Sequence, residues 1–68
     1  MPPKVRQLKA ILLKAGFSSR PGKGSHTIWS HPDILGFTVA LSGKDGNDAK
    51  PYQVDDVQDA LKRLRREK

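Results

Sequence analysis

The residues best suited to chemistry lie together in Lys23-Gly24-Ser25-His26-Thr27-Ile28-Trp29-Ser30-His31-Pro32, a stretch that holds both histidines and the single tryptophan of the chain. Histidine is the side chain that changes charge around neutral pH, so His26 is a candidate general base or acid. Lys23, Arg20 and the backbone amides of Gly24 and Ser25 can hold a phosphate and steady charge in a transition state. RNA brings its own nucleophile, the 2′-hydroxyl. A nuclease acting on RNA therefore needs only an acid, a base and cationic support, with no metal. His31, just before Pro32, reads as a strand end, and the two histidines lack a carboxylate at a ligand-like spacing. No metal or other cofactor is expected.

Composition agrees with a polyanionic partner. The formal net charge is +6, from 13 Lys and Arg against 7 Asp and Glu. Lys4, Arg6, Lys9, Lys14, Arg20 and Lys23 all precede the first acid, Asp33. Most acids crowd into the second half (Asp45, Asp48, Asp55, Asp56, Asp59), and a second basic block, Lys62-Arg63-Leu64-Arg65-Arg66, lies near the end. Such a balance points to nucleic acid, although a charge run also serves simply as a solvated face. Without cysteine there is neither a disulfide nor a thiolate metal site. Residues 1–68 make one expected domain, near the lower size limit for a self-sufficient core, which favours a chain that works in a complex. No leader or membrane span is apparent, and the cytoplasm is the expected compartment.

The elements that must position these residues follow from periodicity. Val5, Leu8, Ile11, Leu12 and Ala15 recur at the spacing of one helix face, predicting a helix over 4–15 that Gly16 ends in a left-handed conformation. A short strand over 17–20 follows, with Phe17 as its core anchor. Pro21-Gly22-Lys23-Gly24 is a turn signature, the next strand runs over 25–31, and residues 33–36 connect to a third with Gly36 as the flexible element. In that third strand, 37–41, alternation puts Phe37, Val39 and Leu41 in the core and Thr38 and Ala40 on the other face. Residues 42–50 form a long polar loop, expected to be mobile. After Pro51 and Tyr52 comes a second helix carrying Val54, Val57, Leu61 and Leu64, with Ala60 at its edge. Its early Asp55 and Asp56 and late Arg63, Arg65 and Arg66 suit the helix dipole, and Asp59 and Arg63 form an i,i+4 pair.

The fold class is therefore α+β: a three-stranded antiparallel sheet in the order α-β-β-β-α, with both helices on one face. Period-two alternation separates His26, Ile28 and Ser30 from Thr27, Trp29 and His31. A core this thin needs Trp29, so Trp29 is expected inside and His26 on the open face beside Ser30, Thr38 and Ala40, with Ile28 outward. The opposite register would turn Trp29 into a stacking platform for a base.

With those residues in view, the chain resembles the HicA family, small mRNA-cleaving toxins of bacterial toxin–antitoxin pairs. The likeness covers roughly residues 4–64. It rests on Val5-Arg6-Gln7-Leu8 through Leu12 and Lys14-Ala15-Gly16-Phe17, on Lys23-Gly24-Ser25-His26 followed by Ile28-Trp29 and His31-Pro32, and on the strand Gly36 to Leu41 with the closing helix. The resemblance implies a double-stranded-RNA-binding-domain-like fold and a metal-independent endoribonuclease that halts translation. It also implies that His26 is the catalytic histidine, with Gly24 and Ser25 shaping the turn that presents it. A HicB-like antitoxin would be the partner that covers His26. Arg20, Lys23, Gly24, Ser25 and Lys44 are the expected RNA contacts. Many family members carry a further histidine at the end of the third strand, where this chain has Ala40-Leu41-Ser42-Gly43-Lys44; Lys44, Ser42 or Arg20 would stand in for it. Two other readings of the same residues are a non-catalytic RNA-binding module and a protein–protein adaptor that uses its open sheet face or edge.

Overall fold

Val5, Leu8 and Leu12 are the buried stripe of the first helix, α1 (Val5–Lys14), close to the expected bounds. The computed structural model describes residues 1–67; Lys68, the last residue of the expected domain, lies outside the described residues. The helix ends as its sequence demands. Gly16 has φ +98°, Phe17 N–H donates to the Leu12 carbonyl at 3.0 Å and Gly16 N–H to Leu13 at 3.0 Å, a Schellman closure with Leu12 and Phe17 both buried.

The sheet has the order β1-β2-β3, all antiparallel, from β1 (Ser18–Pro21), β2 (Thr27–His31) and β3 (Ile34–Leu41). β2 begins two residues later than expected, which leaves Ser25 and His26 in the preceding turn. The expected connection over 33–36 shrinks to Pro32-Asp33, because β3 already starts at Ile34. The register then jumps: Ser30 pairs Thr38 but His31 pairs Ile34. Gly36, at φ +80°, absorbs the jump, so its freedom serves an irregular strand rather than a loop.

Trp29 is inside, at 2% exposure, and its indole N–H donates to Thr27 Oγ1 at 2.9 Å, so burying the ring leaves no orphaned donor. Val39 and Leu41 join it in the core, whereas Phe37 is only half-buried and carries the Arg63 guanidinium 4.6 Å from its ring centroid. On the opposite face Arg20, Ile28 and Ala40 lie side by side, with Ile28 outward as expected and half-buried there.

The second helix, α2 (Pro51–Glu67), takes in Pro51 and Tyr52, since proline at the first helical position has no N–H to lose. Gln53 fastens its start: its Oε1 accepts Lys50 N–H at 2.8 Å, while its Nε2 donates to the Ser42 carbonyl at 3.0 Å. Val57, Ala60 and Leu64 meet Leu8, Leu12, Trp29 and Leu41 in one core, so both helices cover the same sheet face. Ala60, expected at the edge, is fully enclosed.

The loop over 42–50 is pinned rather than free. Asn47 and Asp45 carbonyls accept the N–H groups of Val5 (2.9 Å) and Arg6 (3.1 Å), capping α1 in place of a polar N-cap side chain. Lys4 pairs with Asp48 at 2.5 Å and Lys9 with Asp45 at 2.6 Å, and Ala49 is buried. Among the described residues, no helix is long and apolar enough to cross a membrane.

Candidate functional site

The turn Gly22–His26 is built to hold one imidazole. His26 N–H donates to the Lys23 carbonyl at 3.0 Å, and Gly22 N–H donates to the His26 carbonyl at 2.9 Å. The ring is held as well, with Nδ1 2.9 Å from the Lys23 oxygen. A carbonyl can only accept, so Nδ1 carries its proton and Nε2 is the nitrogen left for a ligand. Gly24 makes the turn possible at φ +59°, and no atom comes within 4 Å of where its Cβ would be. The Gly24 and Ser25 N–H groups donate to no protein acceptor among the described residues, while Ser25 Oγ accepts Gly43 N–H at 3.2 Å. That bond ties the turn to the end of β3.

His31 has the opposite character. Its Nδ1 accepts Asp33 N–H at 3.0 Å and its Nε2 donates to the Ala15 carbonyl at 3.1 Å, with the ring edge-on to Phe17 at 5.0 Å. Buried, and with both nitrogens engaged, it is a structural residue.

The cations expected to contact RNA sit around His26, all exposed. Lys23 shares its turn. Arg20 lies on β1 across from Ile28, and Lys44 directly follows the Gly43 that Ser25 holds. None of the three forms an ion pair among the described residues, unlike Lys4 and Lys9. His26 stands beside Thr38 and Ala40, as expected, although it is not itself part of a strand. Because it precedes β2, it lines a groove of about 280 Å³ beside β3, with Thr38 and Ser42 on one side and Tyr52, Asp56 and Asp59 of α2 on the other.

That second wall is not apparent from the sequence. Asp55 and Asp56 are expected there only as dipole partners and Tyr52 as a residue ahead of the helix, yet Tyr52, Asp56 and Asp59 share one helix face at i, i+4 and i+7. The spacing alone marks a face. Only the folded chain sets that face beside the start of β2. Among the described residues, no three His, Cys, Asp or Glu side chains gather as metal ligands do.

A family model described as HicA toxin of bacterial toxin–antitoxin matches residues 5–65. No curated protein and no solved structure gives a match. The matched span takes in α1, all three strands, the His26 turn and most of α2. The chain thus belongs to the HicA toxin family, as the translation-inhibiting toxin of a bacterial toxin–antitoxin pair with RNA as its target and a HicB-like antitoxin as its partner.

Proposed function

We propose that the protein inhibits translation as a metal-independent endoribonuclease, with His26 as its catalytic residue. The observation that carries this reading is the pinned ring: Nδ1 is committed to the Lys23 carbonyl, and Nε2 is left on an exposed side chain beside a groove. A fixed tautomer and orientation are what a proton-transfer group needs. In the reaction the 2′-hydroxyl loses its proton, the O2′–P bond forms, the P–O5′ bond breaks and the leaving 5′-oxygen takes up a proton. His26 Nε2 either accepts the first proton or, when protonated, gives the second. Arg20, Lys23 and Lys44, with the Gly24 and Ser25 amides, stabilise the extra negative charge on phosphorus.

The exposed His26 turn is also the surface for the antitoxin to cover, because a partner seated there blocks both the ring and the cations. Residues 1–68 act as one domain, in the cytoplasm where translation runs.

The test is cleavage of a labelled single-stranded RNA in EDTA by the parent and by a folded His26→Ala variant. Cleavage by the parent alone is the expected result. Equal cleavage by both removes His26 from the chemistry. Salt-sensitive binding by both without cleavage makes the protein an RNA-binding module.

A further inference from the structure

We propose that the groove beside His26 is a subsite for a nucleobase and that the base it selects is guanine, with Tyr52 as the stacking surface and Asp56 as the reader. The proposal rests on the catalytic reading of His26 and adds a specificity to it.

The groove differs in charge from its surroundings. Arg20, Lys23 and Lys44 around the turn suit phosphates, but Asp56, which has no ion pair among the described residues, lines the groove and repels them. The part of an RNA chain that enters must therefore be uncharged, the ribose or the base, and of the two only the base is flat and can stack. Tyr52 is 53% exposed and lines the same groove, offering a flat aromatic face to a flat heterocycle. His26, Thr38 and Ser42 close the other side, so a base held here keeps its own ribose and phosphate near the imidazole.

The two carboxylates are not equivalent. Asp59 Oδ2 lies 3.3 Å from Arg63 Nε, whereas Asp56 has no ion pair among the described residues. An ionised carboxylate is an acceptor with two oxygens side by side. Among the four bases only guanine presents two neighbouring N–H donors, N1–H and the 2-amino group, on its Watson–Crick edge. Adenine and cytosine set one amino group beside a ring-nitrogen acceptor, and uracil sets a single N–H between two carbonyls. Each of these would aim an acceptor at the carboxylate, leaving a polar pair unsatisfied.

The cleavage sites of a mixed-sequence RNA, compared for the parent and a folded Asp56→Asn variant, test the proposal. Expected is cleavage concentrated beside guanine, with that preference falling about tenfold in the variant, the scale of one bidentate base pairing. Inosine, which lacks the 2-amino group, should be cut less than guanine by the parent, and Tyr52→Ala should weaken cleavage beside guanine. A parent without base preference, or a preference that Asp56→Asn leaves unmoved, overturns the subsite while His26 catalysis stands. Should the parent cut no RNA, the catalytic reading fails alone, and competition of guanine- against adenine-containing oligonucleotides for the His26→Ala protein decides the subsite. Equal affinity then overturns it. An Asp56→Asn change that alters only antitoxin affinity assigns the groove to the protein partner and also overturns it.

Discussion

His31 and Ala15 are joined by a 3.1 Å hydrogen bond from the ring Nε2–H to the carbonyl oxygen, which ties the end of β2 to the end of α1. One histidine of this chain is thus part of the frame and the other part of the working surface, and the two should respond differently to removal. His31→Ala leaves a cavity and strips partners from Asp33 N–H and the Ala15 carbonyl, for an expected loss of about 2–4 kcal/mol. His26→Ala should stay within about 1 kcal/mol of the parent. Urea unfolding midpoints at unchanged slope measure both; equal losses would contradict the division.

Gly16 and Gly24 both have positive φ, but only one is crowded. A Cβ on Gly16 would lie 2.9 Å from His31 Nε2, whereas one on Gly24 meets nothing within 4 Å. Gly24→Ala should cost about 1 kcal/mol, the left-handed penalty alone. Gly16→Ala should cost about 2–4 kcal/mol, adding the displacement of the His31 ring. Thermal melts of the two variants rank them, and a Gly24→Ala loss as large as that of Gly16→Ala would sink the steric argument.

Gln53 joins the start of α2 to the end of β3 while itself only 2% exposed. Replacing it with leucine keeps the volume but orphans Lys50 N–H and the Ser42 carbonyl. The expected loss is about 1–3 kcal/mol. Hydrogen exchange should quicken at the Lys50 amide first; unchanged protection there counts against the linking role.

Arg20, Lys23 and Lys44 are proposed phosphate contacts, and RNA binding by an inactive His26→Ala protein isolates them from cleavage. Each change to glutamine should weaken binding and flatten the logarithmic salt dependence by about 0.7 for every phosphate no longer neutralised on single-stranded RNA. Lys4→Gln should do less, since Lys4 is already paired with Asp48. Identical slopes for all four variants would show that the cations act only through total charge.

The order of elements, the left-handed glycine that ends α1, the burial of Trp29 and the candidacy of His26 were legible in the sequence. Each of these is local: a 3.6 or two-residue period, a glycine after an apolar stripe, or a thin core that cannot spare its one tryptophan. The family likeness was legible for the same reason, because Gly24-Ser25-His26 and His31-Pro32 stand in one short stretch. Alternation already set His31 on the face of Trp29, but its bond to the Ala15 carbonyl, sixteen positions away, appears only in the tertiary structure. The polar loop over 42–50 has the composition of a free segment because its anchors, Lys4, Val5, Arg6 and Lys9, are about forty positions away. The strand boundary at Thr27, which drops His26 out of the sheet and beside Tyr52 and Asp56, depends on how a turn closes on the Lys23 carbonyl. Hydrogen bonds between distant segments leave no period in a sequence, so the second wall of the groove exists only once the chain is folded.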